Sequence, residues 1–265
     1  MNTPIVITPD IVYRSTEAPS DAPSADIVAI AVHPDDVELA CGGVLAAASS
    51  EGKRVAVVEC TRGEMSSRGT PEIRHAEAIE AAKILGLTER WNLGIPDGGV
   101  SSTPDHVARV VAAIRYFQPS LLLFPAGFDR HLDHEDAYNL VRRAVFQSGM
   151  TKVVTSVFGV RQTPYRPKRL LCYMQTYHFE PDVFIDVSAH FATKMQSITA
   201  HASQVHVSGR TPKPDEPQTF ISSPAFMGLI ESRARYFGAL IGVEFAEAFQ
   251  SVEPLGLHSV SALLH

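Results

Sequence analysis

The stretch Ile27-Val28-Ala29-Ile30-Ala31-Val32-His33-Pro34-Asp35-Asp36-Val37-Glu38 passes from an unbroken apolar run straight into His, Asp, Asp and Glu. An apolar run of this length, bounded by polar residues, predicts a strand buried on both faces. The Ala- and Leu-rich segment from about Asp36 to Ser50 predicts a helix directly after it. Ionisable side chains gathered at such a strand-to-helix junction are costly unless water, a ligand or a metal satisfies them. In open α/β sheets that junction is also where ligands bind.

Outward from this junction the pattern repeats. Strands are expected at 26–32, 54–60, 90–93 and 121–124. Helices are expected at 37–51, 71–85, 104–117 and 135–148, the second opened by Thr70-Pro71-Glu72 as cap, first-turn proline and acidic residue. Strand and helix alternating four times predict an α/β fold, a Rossmann-like, mostly parallel sheet with helices on both faces. The second half is less regular. Strands are expected at 170–173 and 183–186, a helix capped by Ser188 at 189–204, and a proline-rich loop at 207–218 that suits a lid. A helix at 224–238 follows, then a strand or short helix at 243–249. Residues 1–24, rich in Pro, Ser, Thr and Asp, are expected to be an N-terminal extension with a short edge strand near 5–8 or 11–14. Residues 25–265 are then one domain.

The chain has 265 residues, a formal net charge of −6 and 45 % hydrophobic residues, which argues against general attraction to nucleic acid or an anionic membrane surface. No window is apolar for the length of a membrane span, and no basic-then-apolar signal stands at the N-terminus. The three cysteines, Cys41, Cys60 and Cys172, lie in or beside apolar runs and read as reduced core residues. The expectation is a cytoplasmic protein.

A second polar cluster, Arg130-His131-Leu132-Asp133-His134, follows the strand at 121–124. His33 and Asp36 are three apart and able to converge on one ion, and His131 and His134 share that spacing. Three N/O donors with an open fourth position suit a catalytic Zn²⁺, one per chain, assigned to His33, Asp36 and His134. Asp35 stands beside a ligand but points elsewhere, toward water on the ion, as a general base requires. His131 is left to face a developing oxyanion or protonate a leaving amine, with Asp133 placed to orient it and raise its pKa. An Asp-Asp pair at a helix start is by itself most simply a cap. The histidines around it and after the later strand make that reading insufficient. Glu38 reads equally as a hydroxyl-binding group or a brace, and His178 as a pocket-lining or an ordinary loop histidine. The Gly-x-Gly-x-x-Gly spacing of a dinucleotide site is absent around Gly42-Gly43.

The paired strings His33-Pro34-Asp35-Asp36-x-Glu38 and Arg130-His131-x-Asp133-His134 resemble the LmbE/PIG-L superfamily of zinc-dependent N-acetylglucosamine deacetylases. Thr61-Arg62-Gly63-Glu64-Met65, Arg68-Gly69-Thr70-Pro71-Glu72-Ile73-Arg74, Asn92-Leu93-x-Ile95-Pro96-Asp97-Gly98 and Glu231-x-Arg233-Ala234-Arg235 extend the resemblance. Within the superfamily these strings are most similar to the malate-linked, bacillithiol-pathway branch. The resemblance implies the same ligands, base and charged histidine as above. It implies an arginine near the ligand at Arg62, with Arg130 a further candidate for an anionic substrate, since guanidinium forks suit carboxylates. It also implies a small-molecule N-acetylglucosamine glycoside as partner and a homo-oligomer, a hexamer being the size it offers. Two departures stand out. Leu132 replaces a proline, and His201-Ala202-Ser203-Gln204 stands where the family carries Tyr-x-Ser-Gln, so that His201 is left to donate to an oxyanion or approach the zinc. The implied reaction is hydrolysis of the N-acetyl group of N-acetylglucosaminyl-malate. A deacetylase of an inositol-linked or chitooligosaccharide conjugate is the alternative, and a non-catalytic binding protein is disfavoured by the intact Asp35.

Overall fold

The run Ile27–Ala31 is a strand, β3, almost wholly buried, and Asp36–Ser50 is the helix α1 that leaves it. The computed structural model describes residues 4–16, 25–210, 215–256 and 259; parts of the expected N-terminal extension and of the expected lid lie outside them. Before β3 stand β1 (Ile5–Ile7) and β2 (Asp10–Arg14). After α1 the order is β4 (Val55–Glu59), α2 (Pro71–Ile84), β5 (Glu89–Asn92), α3 (Pro104–Phe117), β6 (Leu121–Pro125) and α4 (Leu132–Ser148). Then come β7 (Thr155–Val157), β8 (Val160–Arg161), β9 (Arg169–Tyr173), β10 (Val183–Asp186), α5 (Phe191–Ala200), α6 (Pro224–Ile241) and β11 (Ala246–Ser251).

The main sheet has the order β10-β11-β9-β6-β3-β4-β5-β2. Its centre, β9-β6-β3-β4-β5, is parallel, as the alternation of elements predicts. Antiparallel strands finish both edges: β2 on β5 at one side, β11 and then β10 at the other. Both candidate N-terminal segments are strands; β1 pairs instead with β7 in a small separate sheet. The alternate residues of β3 face two cores. Val28 and Ile30 pack with α3 and α4, while Ala29 and Ala31 pack with α1 and Leu85 at the end of α2. The chain leaves β3 toward β4 on one side and later returns to β6 on the other, so the carboxyl ends of β3 and β6 form the crevice where strand order reverses.

Helices α4 and α5 differ most from the sequence reading. Helix α4 begins at Leu132 rather than Glu135, because the His131 ring accepts the Asp133 amide and serves as its cap. Helix α5 stops at Ala200, and Ser188 does not cap it: its hydroxyl bonds Asp186 and takes the Phe245 amide. The segment after α6, left open between strand and helix, is strand β11.

Helix α1 bends at Cys41, whose φ of −135° is non-helical. The bend exposes the amides of Gly43 and Val44, and the Glu247 carboxylate accepts both, at 2.9 and 2.8 Å. A Cβ on Gly43 would stand 2.9 Å from the Val187 Cβ, so only glycine permits this approach. Lys194 completes the pair with Glu247. The Gly-Gly pair thus receives a carboxylate from within the fold.

Beneath the junction, Arg90 is fully buried, its Nη1 2.5 Å from Glu38 Oε1 and its Nε 2.7 Å from Glu59 Oε1. Burial alone raises the Glu38 carboxyl, but Arg90 and His201 together outweigh it and hold the group at about 2, below its ordinary 4.5. Removing one partner from such a set leaves uncompensated buried charge. Arg90→Met is expected to lower stability by roughly 3–5 kcal/mol in urea unfolding. Because the Glu38 value is depressed, its stabilisation is present above 4.5 and is lost as pH falls from 4.5 toward 2. In urea melts across that window, Glu38→Gln is expected to flatten this part of the acid dependence.

Candidate active site

Asp36, the first residue of α1, turns one carboxylate oxygen back on the strand it follows. Its Oδ2 accepts from the amides of Val32 at 3.0 Å and His33 at 2.8 Å. This closure places Asp35 at φ 117°, a conformation non-glycine residues rarely hold. The other oxygen, Oδ1, faces His134 Nε2 at 3.4 Å, and His33 Nδ1 lies 3.7 Å from Oδ2. His33, Asp36 and His134 are all buried, with donor atoms within 4.8 Å of one another.

Each histidine is held from behind by a second carboxylate. His33 Nε2 is 3.1 Å from Asp97 Oδ1, and His134 Nδ1 is 3.1 Å from Asp129 Oδ1. That pairing fixes which nitrogen carries hydrogen and leaves the other lone pair facing Asp36, the arrangement seen around metal-ligating histidines. His134 Nε2 is buried without a hydrogen-bond partner among the described residues. The donor set therefore fits a divalent metal ion, with three N/O ligands and room for a fourth. The electrostatics agree. Burial would raise Asp36, yet the neighbouring His134 and His33 hold it well below the usual carboxylate range. Burial would lower His134, and Asp36 and Asp129 together more than reverse this, to about 9.

Asp35 lies outside this donor set. Burial, opposed by the Arg74 guanidinium 3.3 Å away, raises its carboxyl to about 6. Arg74 also donates to the Pro34 carbonyl at 2.6 Å. It reaches there from α2 by passing over Gly63, where a Cβ would sit 1.9 Å from the guanidinium.

A cleft of about 200 Å³ opens over the donors. His33, Asp35, Asp36, Asp97, His131, His134, Arg74 and Arg130 form its polar wall, with Ser66, Gln175, Thr176 and Gln204 beside them; Leu39, Ile221, Phe226 and Ile230 form an apolar one. The structure thus brings together the expected ligands, Asp35, His131 and Arg130, the last lying 4.9 Å over the Phe220 ring.

Asp133 is nearby, but its carboxylate accepts from Gly98 at 2.8 Å and lies 3.8 Å from His33 Nε2. It is its amide that meets the His131 ring. His131 is lowered rather than raised, by burial and by His33 and His134. Four other candidates are off the cleft wall. Arg62 pairs with Asp10 at the surface, 2.9 Å apart. Glu38 is engaged by Arg90 beneath the site. His201 is enclosed 3.5 Å from Glu38. His178 is exposed, its nearest carboxylate Glu180 at 3.9 Å. The sequence reading missed Arg74 and Asp129. Arg74 stands within a quoted string, but its role comes from packing that no local pattern carries.

The sequence profile of the PIG-L family, described as GlcNAc-PI de-N-acetylase, matches residues 28–145. Among solved structures, the chain is similar to the conserved protein TT1542 from Thermus thermophilus. That match has 35 % identity and a TM-score of 0.77, covering 89 % of this chain and 98 % of the other. It is 24 % identical to the diacetylchitobiose deacetylase of Thermococcus kodakarensis, over 88 % of this chain and 85 % of the relative. It is 25 % identical to the 1D-myo-inositol 2-acetamido-2-deoxy-alpha-D-glucopyranoside deacetylase of Actinosynnema mirum, over 68 % of this chain and 81 % of the relative.

Because Asp129 orients His134, Asp129→Asn is expected to weaken divalent-metal affinity about 10–100-fold. Competition of zinc against a chromophoric chelator measures this, and an affinity equal to wild type would remove Asp129 from the centre.

Proposed function

The chain belongs to the PIG-L/LmbE superfamily, and from that premise we propose a zinc-dependent amidohydrolase that removes the N-acetyl group from an N-acetylglucosamine conjugate, releasing acetate and a free amine. The observation that carries the reading is the division of labour between neighbouring aspartates. Asp36 joins two carboxylate-backed histidines, while Asp35 stands beside them bound to Arg74.

A divalent ion held by His33, Asp36 and His134 supplies Lewis acidity to the amide carbonyl and to the attacking water. Asp35 accepts the proton of that water as the oxygen adds to the carbonyl carbon. Its raised value suits a base working near neutrality. His131, on the exposed side of the cleft, donates toward the developing oxyanion. The proton held by Asp35 then passes to the amine as the C–N bond breaks. Arg74 fixes the Asp35 carboxylate and keeps it ionised.

The family profile and the two deacetylase relatives support the acetamido sugar. For the group attached to it, a chitooligosaccharide or an inositol glycoside has the support of those relatives. A malate-linked substrate in bacillithiol-type thiol biosynthesis is a second reading. It is favoured by the quoted strings and by the Arg130 guanidinium on the cleft wall. The exposed Leu229, Tyr236 and Leu240 of α6 support a homo-oligomer. No helix among the described residues is long and apolar enough to cross a membrane.

Asp35→Asn is expected to cost at least about 10²-fold in kcat with zinc content unchanged. Loss of zinc with this change would make Asp35 a ligand instead. Arg74→Gln removes a charge that lowers the Asp35 value, so the acidic limb of kcat/KM is expected to move to higher pH. Kinetics with diacetylchitobiose and with inositol- and malate-linked N-acetylglucosamine rank the substrates, and no acetate release from any of them would overturn the deacetylase reading.

A further inference from the structure

Arg68 stands off the cleft wall, yet its side chain is only 5 % exposed. A guanidinium buried this far needs partners close at hand. Three groups meet it on three sides. Its Nε donates to the Ser203 carbonyl at 2.7 Å and its Nη1 to the Pro217 carbonyl at 2.9 Å, while Nη2 stands 3.2 Å from Glu216 Oε2. A planar fork of donors reaches three such partners at once.

One end of this arrangement is tied to the rigid part of the fold. Gly69, at φ 72°, approaches the turn after α5 so closely that a Cβ on it would stand 2.7 Å from Ser203 Oγ. Gln204 Nε2 donates to the Arg68 carbonyl at 2.6 Å. The Glu77 carboxylate of α2 accepts from the Ser203 amide at 2.6 Å and from its hydroxyl at 2.7 Å. The other end is irregular. Residues 215–223 form no helix or strand, and Pro217 has no amide hydrogen to offer. Arg68 therefore fastens a segment without a ladder of its own to a turn that α2 holds.

That segment carries two groups to the cleft. Ile221 belongs to the apolar wall. Phe220 places its ring 4.9 Å from Arg130 Cζ, and Arg130 stands on the polar wall. The ring face attracts the guanidinium, so the place of Arg130 follows the place of Phe220.

We propose that Arg68 is a positioning residue for substrate binding: through Glu216 and Pro217 it sets the segment 215–223, and through Phe220 it sets Arg130. Its kinetic consequences rest on the deacetylase reading; its contacts do not. The partners of Arg68 are Ser203, Gln204, Glu216 and Pro217, not the metal donors or Asp35. It acts on binding of the conjugate and leaves the chemical step and the metal centre alone. Lysine carries the same charge at a single point and cannot span Ser203, Pro217 and Glu216 together.

Steady-state kinetics of the zinc-loaded full-length chain test this, with whichever of the three conjugates named above is turned over fastest. Arg68→Gln is expected to raise KM about tenfold or more, with kcat within about threefold of wild type and zinc affinity unchanged. Arg68→Lys is expected to fall between wild type and Arg68→Gln. Phe220→Leu is expected to raise KM about two- to fivefold, the value of one exposed cation–π contact. Because the two residues act in series, adding Phe220→Leu to Arg68→Gln is expected to raise KM less than about twofold further. Effects that multiply, or a fall in kcat as large as the rise in KM, overturn the proposal. Hydrogen–deuterium exchange reads the same connection without activity. Arg68→Gln, and separately Glu216→Gln, are expected to speed exchange about tenfold or more in peptides covering 216–223 and to leave α1 and α4 as in wild type. Unchanged exchange in 216–223 overturns the proposal whether or not a conjugate is hydrolysed, whereas absence of turnover in the wild type counts against the deacetylase reading alone.

Discussion

The site depends on one short closure, the Asp36 carboxylate accepting from the Val32 and His33 amides at the end of β3. Amides that end a strand have no further ladder partner, and a carboxylate at the start of the next helix supplies one. The closure has three consequences. It fixes the Asp36 oxygen that faces His134, and it sets the backbone from which the His33 ring projects. It also forces Asp35, caught between them, into its left-handed conformation and turns that carboxylate aside. Two adjacent aspartates with opposite values follow: Asp36 far below the carboxylate range, Asp35 raised to about 6.

So many buried ionisable groups require compensation nearby, and the fold supplies it residue by residue. Arg90 answers Glu38 and Glu59, Lys194 and two helix amides answer Glu247, and Arg74 answers Asp35. Buried pairs of this kind contribute little net stability compared with apolar packing. Their effect is to hold the helix start and its carboxylates in one arrangement. Glu38 belongs to this support. It lies two residues past Asp36, under the site, and is paired there with Arg90.

Much of this was legible in the sequence. The β3–α1 junction is read from an apolar run ending in ionisable residues, and the parallel core from repeated alternation. The donors His33, Asp36 and His134 follow from their spacing at equivalent junctions. What was not legible depends on neighbours distant in sequence. Strand order is one case. That β3 lies beside β6, bringing His33 to His134, is a result of chain reversal, not of either segment. The arginine is another. Thr61-Arg62-Gly63 points to Arg62, but that side chain turns to Asp10. The missing Cβ of Gly63 admits Arg74, from the next helix, to Asp35. The start of α4 was missed because its cap is a histidine, outside the usual Ser, Thr, Asp and Asn. The short α5 leaves Ser203 and Gln204 in a turn, bonded to Glu77, Ser66 and Arg68.

Asp129 shows how the donor cluster and the cleft wall are joined. One of its oxygens, Oδ1, takes the His131 amide and holds His134 Nδ1. The other, Oδ2, accepts from the amides of Thr176 and Tyr177, in the loop after β9. Gln175 and Thr176 of that loop stand on the cleft wall. The same carboxylate therefore orients a donor histidine and anchors a segment of the cleft wall. Side chains of that loop are free to vary, since Asp129 holds it through backbone amides. On the proposed deacetylase reading, this loop and Arg130, both on the cleft wall and apart from the donor cluster, are where preference for the attached group is set.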